Sequence, residues 1–168
     1  MAKRKSTKVG NAAKPSIKSS SLRSPKGPNV AISSSQSAMR VPRKKLTELI
    51  QFVASSEGVR LAEVDLAIVD SKEMAGLNEH YLRHMGETDV LSFDLSDDDS
   101  AGVCAQLIVC GPVALEQAKA RNLPPQRELM LYVVHGLLHM MGYEDHTIRG
   151  AARMHARQEE LLDAYLGK

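Results

Sequence analysis

No acidic residue occurs among residues 1–45, a segment that holds twelve lysines and arginines. The formal charge of +2 conceals this asymmetry: beyond residue 45, ten bases face twenty acids, so an acidic body of about −10 carries a basic arm. Long apolar runs are missing as well. Nowhere do eighteen apolar residues follow one another, and no apolar core follows the basic N-terminus, so neither a membrane span nor a signal peptide is expected. Cysteine is scarce. Cys104 and Cys110 stand in an apolar stretch without the CxxC spacing of a redox or zinc pair, and they read as two buried, reduced thiols of a cytoplasmic protein. There is no internal repeat, and 168 residues suffice for one domain with a substantial core but not for two ordinary ones.

Residues 1–27 are rich in Ser, Lys, Gly and Pro and almost devoid of large apolar side chains, so they cannot bury enough surface to offset the entropy of ordering them. They are expected to form a disordered basic tail, able to attract RNA by counterion release without reading its sequence. Residues 28–168 switch regularly between periods of two and 3.6. Val30 and Ile32 suggest a first strand, and Pro42 leads into a helix bearing Leu46, Leu49, Ile50 and Val53. Val64, Leu66 and Ile68 alternate as a half-buried strand. Ser71 is placed as the cap of a helix carrying Met74, Leu77, Asn78 and Tyr81. Residues 88–93 and 103–110 read as two more strands on either side of the acidic tip 96–100. Pro112 opens a helix to about Arg121, and Pro124-Pro125 opens the most apolar helix of the chain, which includes Met130 to Met141 and is ended by Gly142. Thr147 caps a last amphipathic helix through Met154, Leu161, Leu162 and Tyr165. The order β-α-β-α-β-β-α-α-α predicts one α+β domain: a mixed sheet of about four strands packed by helices, with the apolar helix in the core.

That apolar helix ends in HGLLHMMGYEDH, residues 135–146. His135 and His139 are four apart, so both rings leave one face, one turn apart, close enough to share an ion. Val133, Val134, Leu137 and Leu138 bury this helix nearly all round, and imidazoles in such a setting need partners. Gly142 stops the helix, and His146 lies a short loop further on, placed to return towards the pair. Three imidazoles leave a fourth tetrahedral position open, as in catalytic rather than structural zinc sites. His80 and His84 repeat the spacing without the apolar setting or a third ligand, and read as ordinary surface histidines. The helix reads HGLLH, not HExxH, so the general base of a zinc peptidase is absent. Gly136 stands in its place and is read as allowing close approach of a neighbouring backbone.

HGLLHMMGYEDH resembles the signature H-G-x-L-H-x-x-G-Y-D-H of the YbeY family, and LNEHYLRHMGETDVLSF, residues 77–93, is similar to that family's upstream signature ending in T-D-V-L-S-F. The resemblance covers most of residues 28–160. It implies a metal-dependent endoribonuclease specific for single-stranded RNA, acting in ribosomal RNA maturation at the 16S 3′ end and in ribosome quality control. It further implies one zinc ion per chain, ribosomal RNA and ribosomal particles as partners, no DNA and no membrane, and a cytoplasmic location. The zinc ligands carried over are His135, His139 and His146. The family's third ligand usually stands six residues after the second, where this chain has Asp145, so Asp145 remains open as an oxygen ligand. The family's arginine after the helix tyrosine falls on Leu82; Arg83, one residue late, is the candidate catalytic cation for the extra charge of the transition state. Ala105-Gln106 replaces a Gly-Asp pair, which removes a carboxylate able to orient a ligand.

Two alternatives stand beside this reading: a zinc-containing ribosome-assembly factor without catalysis, and a zinc hydrolase of another substrate class. The missing HExxH glutamate speaks against a peptidase, and three ligands without an evident fourth speak against a closed structural site. Deleting residues 1–27 is expected to leave the thermal midpoint nearly unchanged and to lessen the salt dependence of RNA affinity. A large loss of helical circular dichroism on deletion would contradict the boundary.

Overall fold

The computed structural model describes residues 27–82 and 88–167, so the expected tail up to residue 26, and Arg83 and His84, lie outside the described residues. The elements follow the anticipated order: β1 (Asn29–Ser34), α1 (Arg43–Glu57), β2 (Leu61–Val69), α2 (Ser71–Leu82), β3 (Val90–Asp94), β4 (Val103–Cys110), α3 (Gly111–Ala120), α4 (Pro125–Met140) and α5 (Ile148–Leu166). The sheet order is β1-β2-β4-β3, with β1, β2 and β4 parallel and β3 antiparallel to β4. This is the mixed four-stranded sheet of an α+β domain. β3 and β4 are joined across the acidic tip, where Asp97 and Ser100 bond to one another.

Cap chemistry sets several helix starts. Thr147 Oγ1 accepts the Gly150 N–H at 2.9 Å, as its position before the apolar stripe predicts. For α2 the expectation is corrected. Asp70, not Ser71, is the cap: its Oδ1 accepts the Glu73 N–H at 2.8 Å, and Ser71 is already helical. Both residue types suit a cap; the chain turns immediately after β2, one residue earlier than the pattern of apolar residues indicates. Pro125 fills the first position of α4, where a missing N–H costs nothing.

The strand alternation divides the core. Val64, Leu66, Ile68, Val90, Leu107 and Val109 point to the face covered by α1, α4 and α5. Val69, Leu91, Phe93, Ile108 and Cys110 point to the other, where Met74 of α2 packs. Helix α4 is the centre of the first layer. Every residue from Glu128 to Leu138 is buried, because the sheet, α1, α3 and α5 surround it. Cys110 is buried and in no disulfide, as expected, but Cys104, at the start of β4 near the acidic tip, is only half-buried. Among the described residues no helix is long and apolar enough to cross a membrane.

Gly136 explains how α4 lies so close to the sheet, although not through backbone contact as anticipated. A Cβ there would meet Leu107 Cδ2 and Ser92 Oγ at 3.0 Å and Val90 Cγ2 at 3.1 Å, all side chains of β3 and β4. A Gly136→Val substitution should therefore overpack this layer and lower stability by about 1–3 kcal/mol. The readout is the urea midpoint; an unchanged midpoint would show that the sheet yields at no cost.

Candidate metal centre

The last two turns of α4 carry the two imidazoles, 4.7 Å apart between ring centroids and edge to face. Immediately after them the chain makes a glycine-ended helix stop. Gly142 adopts φ +91°, its N–H donates to the His139 carbonyl, and the Tyr143 N–H donates to the Leu138 carbonyl at 3.0 Å. That turn folds Tyr143 back beneath the helix, so its own carbonyl oxygen stands 3.1 Å from His139 Nδ1. From the other side α5 contributes Gln158, whose Oε1 lies 2.9 Å from His135 Nδ1. The Gln158 amide nitrogen faces His155 Nδ1 at 3.1 Å, which orients the amide with its oxygen towards His135.

These contacts determine what the rings present to one another. A carbonyl oxygen only accepts, so both Nδ1 atoms carry hydrogen, and a neutral imidazole has no second N–H. Both Nε2 atoms therefore direct lone pairs inward, 3.1 Å apart. Two lone pairs at that separation repel unless a cation lies between them. The Asp145 carboxylate completes the set, with Oδ2 3.9 Å from His135 Nε2 and 3.7 Å from His139 Nε2, its side chain only 8% exposed. The three donors lie within 4.8 Å of one another and could hold a metal ion. Donors at the ~2.0–2.1 Å zinc–nitrogen distance stand roughly 3.3 Å apart around a tetrahedron, close to the spacing of the imidazole pair.

Of the expected ligands, the structure brings His135 and His139 together but not His146. Its side chain is 71% exposed, and its Nδ1 stands 4.0 Å from Asp145 Oδ1. The extra acidic residue in GYEDH shifts the loop register by one, and it is Asp145 that reaches the family's sixth position. Gln106 lies elsewhere: it donates to Asp65 on the sheet face away from α4. A carboxylate at Gln106 would not face the pair. Arg83 is outside the described residues.

Gln158 escaped the sequence reading, although one signal was present. It is a polar residue inside the apolar stripe of α5, between Met154 and Leu161, and it is buried. A second support is Glu57, at the end of α1. Its carboxylate accepts the Tyr143 phenol at 2.9 Å and Arg157 Nε at 2.7 Å, tying α1, the loop and α5 together. The bonds to Glu160 and Glu57 raise the Arg157 pKa, while burial and the Glu57 bond raise that of the Tyr143 phenol. Burial lowers the His139 pKa, against the raising influence of Asp145.

Fold and site together define a class: a small α+β domain with two imidazoles and a carboxylate converging at the end of a buried helix. The family model described as "Endoribonuclease YbeY" matches residues 31–166. A protein of that name from Macrococcus caseolyticus is 36% identical over 129 residues, covering 72% of this chain and 84% of its own length. The Bacillus subtilis protein is 35% identical over 133 residues, covering 73% and 85%. A solution structure from Thermotoga maritima matches with a TM-score of 0.59 and 25% identity, covering 82% of this chain and 89% of that one. The chain belongs to the YbeY endoribonuclease family.

Two outcomes are expected. Gln158→Leu should weaken the affinity for any metal held there by ~10–100-fold, measured by chelator competition, because His135 loses the acceptor that holds its tautomer. For His139 the lowered folded-state pKa sets the sign of a pH effect. Above an unfolded value near 6.5 both states are neutral; below it the unfolded chain takes the proton first, so metal-free stability falls as pH drops from about 6.5 through the folded value. A thermal midpoint with the same acid dependence in wild type and His139→Gln would contradict this.

Proposed function

We propose that the chain is a zinc-dependent endoribonuclease that cleaves single-stranded RNA. It acts in the cytoplasm on ribosomal RNA, in 16S 3′-end maturation and ribosome quality control, with ribosomal particles as partners. One observation carries the metal dependence: two inward-facing Nε2 atoms 3.1 Å apart, each backed by an acceptor at Nδ1, with a carboxylate beside them. Membership of the YbeY family supports RNA as the substrate.

His135, His139 and Asp145 are the proposed ligands, with Asp145 taking the position that family spacing gives the third histidine. Two imidazoles and one carboxylate form a donor set that zinc accepts. When bound, the metal supplies Lewis-acid polarisation of a phosphoryl oxygen and acidification of water. The protein's own part is orientation. Gln158 and the Tyr143 carbonyl hold the Nδ1 protons, so Nε2 of each ring is committed to the ion and neither imidazole turns away. Glu57 and Arg157 fix the loop from which Tyr143 and Asp145 act. Arg83 is the proposed cation for the charge that develops on the phosphoryl group.

Purified protein should cleave single-stranded RNA, lose the activity to a chelator and regain it with zinc. Failure of a fully zinc-loaded protein to cleave any single-stranded RNA would favour an assembly factor without catalysis. Asp145→Ala should lower zinc affinity far more than His146→Ala. The reverse order would return the third position to His146.

A further inference from the structure

Three arginines around α4 and α5 are engaged by carboxylates, Arg127 by Glu159 and Asp163, Arg121 by Glu128, and Arg157 by Glu57 and Glu160, while Arg153 lies over the Tyr143 ring. The beginning of α1 differs. Arg40, Arg43, Lys44 and Lys45, with Val41, Pro42 and Gln126 of α4, line a cavity of about 430 Å³. None of these lining residues is acidic, and all four cations are exposed. Lys44 has an ion-pair partner in Glu48, at 3.9 Å on the next turn, but both are solvent-exposed and such pairs contribute little. Arg43 donates to the Ile32 carbonyl, which anchors its guanidinium at the cavity without neutralising it.

We propose that this cavity anchors the sugar–phosphate backbone of single-stranded RNA at a second point, apart from the metal centre. The inference rests on the RNA reading given above. An acidic body repels a polyanion, so a concave cluster of four cations among the described residues is a place where a strand gains attraction. A row of phosphates engages several of these side chains at once. Such contacts fix position and carry no sequence information. A protein partner would need apolar anchors, and the cavity offers only Val41 and Pro42. Gln126, in the first turn of α4, and His139, in its last, are separated by ~20 Å of continuous helix. A strand held at both points is therefore placed by one rigid element.

The test compares wild type with Arg40→Gln/Lys44→Gln/Lys45→Gln, leaving Arg43 and its carbonyl bond intact. Both proteins are zinc-loaded and bind a 2′-O-methyl single-stranded oligonucleotide long enough to reach both sites. Removing three phosphate contacts should reduce the slope of log affinity against log salt by about 2, at unchanged zinc content and thermal midpoint. An unchanged slope in the folded, zinc-loaded variant overturns the site while the RNA reading stands. A wild type without affinity for single-stranded RNA overturns both. Binding of anionic lipid vesicles that the substitutions abolish, with the RNA slope unaffected, overturns the proposal in favour of a membrane surface.

Discussion

The structure turns on two imidazole nitrogens facing each other 3.1 Å apart at the end of a helix that is otherwise apolar. Left alone, His135 and His139 would be polar rings in a dry layer with their lone pairs opposed. Two contacts lower part of that cost. Helix α5 supplies the Gln158 acceptor and the glycine-ended turn supplies the Tyr143 carbonyl. Each satisfies one ring N–H and leaves the remaining lone pair pointing at a common centre, beside which the loop places the Asp145 carboxylate. The arrangement has the geometry of a group that could hold a metal ion.

Its rigidity comes from distant parts of the chain. Glu57 stands at the end of α1, Tyr143 in the loop after α4 and Arg157 on α5, and one carboxylate binds the other two. Arg157 and Gln158 are neighbours on α5, so the same turn of helix steadies the loop and holds His135. On the opposite side, Gly136 lets α4 settle against Val90, Ser92 and Leu107, which fixes the height of the histidines above the sheet. A change in the packing of α5 or of β3 therefore reaches the histidine pair through one contact.

Much of this was legible in the chain. Element order, the central α4, the Thr147 cap and the glycine stop follow from periodicity and local chemistry, because those signals depend on near neighbours. The pair His135 and His139 follows from spacing and an apolar setting. What sequence left unresolved depends on loop register and on which elements meet. Whether Asp145 or His146 turns inward is decided by the path of four residues after Gly142, where an inserted acid offsets the histidine by one. Asp70 in place of Ser71 is a shift of the same kind, at a strand end. Glu57 and Gln158 were hidden for another reason: their partners are 86 and 23 residues away in sequence.

The proposed ligand set would differ chemically from a three-histidine centre. A carboxylate in place of an imidazole would add one negative charge beside a bound ion, and His146 is exposed at the loop. The measurement that tests this most directly is X-ray absorption at the zinc edge of the loaded protein. The account predicts two imidazole nitrogens near 2.0–2.1 Å, with oxygen completing the coordination and one oxygen scatterer lost in Asp145→Ala. A third imidazole in the wild-type spectrum, lost in His146→Ala and kept in Asp145→Ala, would contradict it.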